Sequence, residues 1–212
     1  MTKLIDDPEL TIEKRGNLAI ITLCRASSLN ALSVEMIRLL SSGLDEISAQ
    51  DDIKAVILKG EGGKAFCAGG DVKLASRLGM SYRRGEVSRD IAMLYFKEEY
   101  ILDHKLYHFK KPVIAFMDGI TMGGGVGLAY PCEFRIATEH TIFGMPEVRI
   151  GFFPDVGGTF YPQKWPGKTG LFAITTGYHI KDVSDLLYLG AATHFVTSDK
   201  LEELTDGLEK TV

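Results

Sequence analysis

The stretch that most limits what this chain can become is Pro112 to Gly127, PVIAFMDGITMGGGVG. Pro112 opens an apolar, partly β-branched run, Val113 to Met117, with the length and composition of a buried strand. Gly119, Gly123, Gly124, Gly125 and Gly127 follow within nine residues. A loop does not need that many glycines merely to turn. Such density fits a backbone with unusual φ/ψ values, or one that a ligand approaches with no Cβ in the way. A helix starting at such a turn aims unpaired N–H groups and its positive dipole end at whatever lies in front. The Gly124 N–H is therefore a candidate donor to an oxygen that gains negative charge. The same glycines also suit a short helix packed tightly on a sheet, and spacing alone leaves both readings open.

On either side of this stretch, strands and helices alternate. Leu18–Leu23 reads as a strand, and Ser33 can cap a helix whose apolar positions Met36, Leu39, Leu40, Leu44 and Ile47 recur at helical spacing, weakened only by Gly43. Ile53–Leu58 reads as a second strand. Ala65–Asp71 (AFCAGGD) leads into a helix near Val72, and the basic stretch Arg77–Glu86 reads as a mobile surface loop. A long helix is expected from about Val87 to Phe109, with Ile91, Leu94, Tyr95, Ile101 and Leu102 forming its buried face. Glu98 and Glu99 interrupt that face and read as solvated. Phe134–Ala137 is a further strand. Phe143–Pro166 is irregular, and a connection of that length tends to be functional. Thr169–Thr176 reads as a helix stopped by Gly177, Ser184–Leu189 as one stopped by Gly190, and the tail from Lys200 as helical. The alternation implies an α/β fold with largely parallel pairing, and no linker divides residues 1–212.

A chain of 212 residues can bury a sizeable core. Its formal net charge of −4 gives no general pull toward nucleic acid or an anionic membrane. Any phosphate-bearing ligand would need a local basic patch or backbone N–H groups. Cys24, Cys67 and Cys132 lie far apart with no CxxC pair, which suggests reduced thiols. The N-terminus has neither a signal core nor a basic presequence, and no window has the apolar length of a membrane span. The expectation is a soluble cytoplasmic protein, although a processed organelle protein would look the same.

Two stretches could supply backbone donors to one carbonyl oxygen: Ala68-Gly69-Gly70-Asp71 and Gly123-Gly124-Gly125. The irregular stretch adds Glu147 and, eight residues on, Asp155, each following a proline among apolar neighbours. Desolvation there would raise their pKa values and suit one of them to act as base or nucleophile. Otherwise, Asp155 caps the turn at Gly157-Gly158 and Glu147 pairs with Arg149. His104 and His108 stand i,i+4 but lack an HExxH pattern, the glycines match neither GxGxxG nor a P-loop, and Cys67 reads as a small buried thiol. No metal or separate cofactor is expected.

Three stretches together, KAFCAGGD (Lys64–Asp71), GITMGGGVG (Gly119–Gly127) and MPEVRIGFFPDVGG (Met145–Gly158), resemble the crotonase (enoyl-CoA hydratase/isomerase) superfamily, and more narrowly its 3-hydroxyisobutyryl-CoA hydrolase group. The resemblance runs from about Leu10 to Leu204. It implies one domain built as a spiral of β-β-α units, with the family's later C-terminal helices missing. It also implies an acyl-CoA thioester substrate, with the carbonyl held by the N–H groups of Gly70 and Gly124. Hydratases carry a glutamate where this chain has Gly127, leaving Glu147 without that partner. Asp155 and the segment FKEEY (Phe96–Tyr100) resemble the hydrolase group instead, which moves Glu99 from the surface to a contact for the substrate hydroxyl. The resemblance further implies Ala68, Gly69, Asp71 and Gly123 around the substrate, and a homotrimer or hexamer. The reaction it implies is hydrolysis of a short acyl-CoA, with hydration or isomerisation using Glu147 alone, or a non-catalytic binding or assembly role, as alternatives.

Overall fold

Apolar runs without polar alternation need cover on both faces. The computed structural model of the chain, which describes residues 2–211, supplies that cover. Its larger sheet takes β1 (Thr2–Asp6), β2 (Leu10–Arg15), β3 (Leu18–Leu23), β4 (Ala55–Gly60), β6 (Val113–Met117), β8 (Phe134–Ala137) and β11 (His194–Phe195), in that spatial order. The first three strands are an antiparallel meander, and every later pairing is parallel. Leu18, Ile20, Ile57, Ile114 and Phe116 point to one face, where Leu201, Leu204 and Leu208 of α7 (Leu201–Thr211) cover them. Ala19, Ile21, Val56, Leu58 and Ala115 point to the other face, into the main core shared with α1 (Val34–Ser48) and α3 (Arg89–Tyr107).

A smaller sheet, ordered β10 (His179–Ile180), β9 (Ile142–Gly144), β7 (Ile120–Met122) and β5 (Ala65–Cys67), stands beside it. The chain visits the two sheets in rotation. β4 is followed by β5 and α2 (Val72–Arg83); β6 by β7 and α4 (Gly124–Ala129); β8 by β9 and a 3-10 turn at Glu147–Ile150. Each repeat is one β-β-α unit of a spiral. Since β5, β7 and β9 pair in parallel, their C-terminal ends lie side by side. The residues just past those ends are Gly69-Gly70, Gly123-Gly124 and Met145 to Glu147, stretches far apart in sequence.

Local signals account for much of this. Ser33 caps α1 by accepting from the Met36 N–H at 3.0 Å. Gly43, which weakens that helix in isolation, lets it settle on β2: a methyl there would stand 2.1 Å from Ile12 Cδ1. Three readings are corrected. Arg77–Glu86 is not a loop, because α2 continues to Arg83 as a solvent-facing helix with no buried residue. The buried stripe of α3 is Ala92, Tyr95, Glu99, Leu102 and Leu106, while Ile91, Leu94 and Ile101 are exposed. Strands β1, β2, β7, β9, β10 and β11 were not anticipated, β9 reaching into the stretch read as irregular, and β4 begins at Ala55, two residues later than expected. β1 and β2 alternate with charged residues, and β7 is a three-residue strand inside the glycine stretch.

Candidate active site

The glycine stretch serves both purposes considered for it, at different positions. A methyl on Gly119 would stand 2.3 Å from the Lys64 carbonyl oxygen, and one on Gly125 2.1 Å from that of Cys67. Those glycines allow tight packing. Gly123 instead turns the chain with φ 52°, and a methyl on it would meet Glu147 Oε1 at 2.8 Å. A methyl on Gly124 would stand 2.6 Å from Glu99 Oε1 and 3.3 Å from the Gly70 nitrogen. The two donor turns therefore lie against each other. Among the described residues, neither the Gly70 nor the Gly124 N–H donates to a protein acceptor.

These amides border a pocket of about 260 Å³ lined by Gly70, Gly124, Glu99, Glu147 and Asp155. Phe96 and Phe152, stacked at 5.6 Å between ring centres, supply an apolar wall, and Val72, Ala75 and Ser76 of α2 stand at its side. Five of the anticipated residues thus meet in one hollow. The other four stand behind it. The Ala68 N–H donates to the Leu29 carbonyl, and Gly69 is buried beneath the Gly123-Gly124 turn. The Gly123 N–H donates to the Gly144 carbonyl, and Asp71 caps α2 by accepting from the Leu74 N–H at 3.1 Å.

The acids are not solvated. Glu99 is 3% exposed and Glu147 8%, and Glu147 Oε2 is buried with no hydrogen-bond partner among the described residues. Burial pushes the Glu147 carboxyl up to about 7, with Asp155 adding to the effect. Glu99 is pushed up to about 9, first by burial and then by Asp103, Asp155 and Glu147, against a weak opposing contact from the Tyr95 hydroxyl 3.5 Å away. Asp155 is also raised by burial, even though Tyr100 Oη donates to its Oδ2 at 2.7 Å. That hydroxyl, rather than the turn at Gly157-Gly158, takes the Asp155 carboxylate; there the Gly158 N–H bonds to the Asp155 backbone oxygen. No cation offsets these acids among the described residues, so Glu147 does not pair with Arg149.

Sequence reasoning missed three side chains here: Tyr95, Tyr100 and Asp103. Tyr95 Oη donates to the Leu32 carbonyl and accepts from the Asp71 N–H, each at 3.1 Å, which ties α3 to the Gly70 turn. Asp103 lies one helical turn beyond Glu99. Both its oxygens are buried and unpartnered, and its carboxyl is pushed up to about 7, first by burial and then by Asp155. A signal existed: on α3 the stripe Ala92–Tyr95–Glu99–Leu102–Leu106 has core spacing, which places Glu99 inside and Asp103 at its edge. Among the described residues, no group of three or more His, Cys, Asp or Glu side chains has an arrangement that could hold a metal ion.

The family model for enoyl-CoA hydratase/isomerase matches residues 18–212. The chain belongs to the enoyl-CoA hydratase/isomerase family. Among curated relatives, it is 45% identical over 204 residues to the mitochondrial 3-hydroxyisobutyryl-CoA hydrolase of Xenopus tropicalis, covering 96% of this chain and 51% of that protein. The small ribosomal subunit protein mS47 of Neurospora crassa is 42% identical over 204 residues, 96% of this chain and 39% of that protein. The chain spans about half the length of the hydrolase relatives it matches. Among solved structures, an enoyl-CoA hydratase from Rhodobacter sphaeroides superposes with a TM-score of 0.87 at 33% identity, covering 96% of this chain and 58% of that one. The spiral expected from the three motifs is thus the family's fold. No helix among the described residues is long and apolar enough to cross a membrane.

Proposed function

We propose that this pocket hydrolyses a short acyl-CoA thioester, with 3-hydroxyisobutyryl-CoA, an intermediate of valine breakdown, as the substrate that fits best. The observation that carries the reading is the meeting of two undonated amides, Gly70 and Gly124, beside a buried carboxylate, Glu147. A thioester oxygen accepting from both amides gains charge in the transition state, where such donors are most effective. Water then adds to the acyl carbon as Glu147 takes its proton. The C–S bond breaks, and the same proton passes to the departing sulfur. The other route has Glu147 attack first, release CoA and leave an anhydride that water opens. Asp155 positions the water or raises the Glu147 pKa. Glu99, held neutral near pH 7 by its burial, is suited to hydrogen-bond the substrate hydroxyl. Neither route calls for a metal or a separate cofactor. The names of the hydrolase relatives support this choice and favour a mitochondrial compartment.

Two other readings have specific support. The solved relatives titled enoyl-CoA hydratase favour hydration or isomerisation with Glu147 as the acid-base group. The mS47 relative favours a structural role. Against a purely structural role, buried carboxylates with no partner are costly and are seldom kept without a use. Incubation with 3-hydroxyisobutyryl-CoA and with crotonyl-CoA separates the three. Thiol release lost in Glu147→Gln supports hydrolysis, and loss of the enoyl absorbance without thiol supports hydration. CoA binding with neither signal supports the structural role. Solvent ¹⁸O entering Glu147 in a single turnover marks the anhydride route.

A further inference from the structure

Asp155 is a wall shared by two hollows. One is the pocket above. The other is an open cleft of about 290 Å³ lined by Tyr100, Asp103, Phe153, Asp155 and Thr159. The two hollows meet at Asp155, whose carboxylate accepts from the Tyr100 hydroxyl beside the cleft. Phe153 and Thr159 at the cleft are exposed, so it is open to bulk water and has room for several molecules.

Asp103 lies against this cleft with two buried, unpartnered oxygens. A methyl on Gly127 would stand 3.3 Å from its Oδ1, so the carboxyl is wedged between α3 and α4. The titratable groups around it are Glu99 and Tyr100 on its own helix, Asp155 at the cleft, Tyr161 and the Cys67 thiol; none of them is a cation. A bare carboxylate in such a place is too costly to persist, so Asp103 needs either a proton or a water.

Hydrolysis, on the reading proposed above, needs both. Each turnover consumes one water: its oxygen bonds to the acyl carbon, the C–S bond breaks, and one proton ends on sulfur. The product acid then ionises and its proton must leave. On that reading the substrate occupies the pocket during the step, which would narrow the path for bulk water through its mouth. We propose that the cleft behind Asp155 is a second, water-carrying entrance to the acyl pocket, latched by Tyr100, with Asp103 as the group that accepts protons leaving the site.

The test needs no turnover. A ketone analogue of 3-hydroxyisobutyryl-CoA, with a methylene between carbonyl and sulfur, cannot be hydrolysed and occupies the pocket. Hydrogen–deuterium exchange of the buried carboxyl groups is then followed by their infrared carbonyl band. Thr159→Trp, a change at an exposed position, plugs the cleft. With analogue bound, exchange in this variant is expected to slow about tenfold or more relative to wild type, while the two exchange alike without analogue, when the mouth is open. Equal exchange in the two analogue-bound proteins overturns the proposal. Should the Trp variant not fold, Thr159→Cys carrying a bulky, reducible thiol label takes its place, with identically treated wild type as control and the same two outcomes. Asp103→Asn is expected to slow exchange in the bound state and Asp103→Glu to restore it; unchanged exchange in Asp103→Asn removes Asp103 from the route. Thiol release from 3-hydroxyisobutyryl-CoA is read separately. A protein with plug-sensitive exchange but no thiol release keeps the second entrance and loses the hydrolase assignment.

Discussion

Two polar clusters in this fold are built on opposite principles. At the C-terminal ends of β6 and β8, Asp118 accepts from Thr138 Oγ1 and from Ser198 Oγ, each at 2.8 Å, and lies 3.2 Å from His140 Nδ1. Both its oxygens are used, and the cluster ties the segment before α7 to the large sheet. Around Asp155, Glu99 and Glu147 of the pocket and Asp103 of the neighbouring cleft crowd together, and three oxygens of this group have no partner. A satisfied cluster holds a fold together. An unsatisfied one costs stability and has its donors still to come, from substrate or water.

The largest expected effect separates the two. Glu147→Gln should lower thiol release by about 10²–10⁴, the usual contribution of a general base, without lowering Tm. Asp118→Ala should do the reverse. It strips acceptors from three side chains, costing about 1–3 kcal/mol in chemical denaturation, while folded molecules keep their turnover. Comparable losses of activity in both variants would end the distinction. Gly124→Ala comes next. Its methyl would press on Glu99 Oε1 at 2.6 Å, and thiol release is expected to fall about 10²–10³ as the donor pair is displaced.

The pH dependence sharpens the same contrast. Folding holds Glu99, Asp103 and Glu147 above their ordinary values, so the native state binds more protons than the unfolded chain. Their contribution to stability is complete below about pH 4, the unfolded range. It is lost as pH rises through about 7 for Asp103 and Glu147, and about 9 for Glu99. Tm of the ligand-free protein should therefore fall between mildly acidic and mildly alkaline buffer, and Glu99→Gln should flatten that fall. The Gln variant should therefore gain stability relative to wild type as pH rises from about 4 to about 8. Activity should move the other way. The ionised Glu147 needed for attack appears as pH rises, so kcat/KM should climb through about pH 7. A flat profile would remove Glu147 as the group that titrates.

The legible parts of the molecule were those governed by local chemistry. Ser33 before an apolar period, Gly177 after one, and the run Val113–Met117 each carry their own signal, and the structure follows them. The site was legible where backbone geometry leaves a mark in composition, as at Gly70, Gly123 and Gly124. What failed was cover. Arg77–Glu86 looks like a loop because the apolar stripe of α2, Leu74, Ala75 and Leu78, is only half-buried and lies mostly before Arg77. Asp103 was harder to read: the α3 stripe puts it only at the edge of the buried face, and its burial comes from α4 and the loop at Val156, which reach it only once the spiral has closed. The Tyr100–Asp155 bond likewise joins residues 55 positions apart.

The smallest expected effect lies at two neighbouring glutamates on α3. Glu98 and Glu99 are adjacent in sequence, but the helical turn of 100° per residue sends them to different environments. Glu98 accepts from Arg38 Nε and Nη2, at 2.8 and 2.7 Å, in a pair whose cation remains half exposed. Water and salt screen such a pair and holding it costs side-chain entropy, so its net contribution is small. Arg38→Ala and Glu98→Gln are therefore expected to leave Tm and thiol release within the scatter of replicate measurements, at low salt and at high. Glu99→Gln, one residue along, should respond in stability and its pH dependence, as well as in affinity for a hydroxyl-bearing acyl group. If Glu98→Gln moved these quantities as far as Glu99→Gln does, burial would not be what distinguishes the two acids, and the contrast between paired and unpaired carboxylates would fail at its nearest pair of residues.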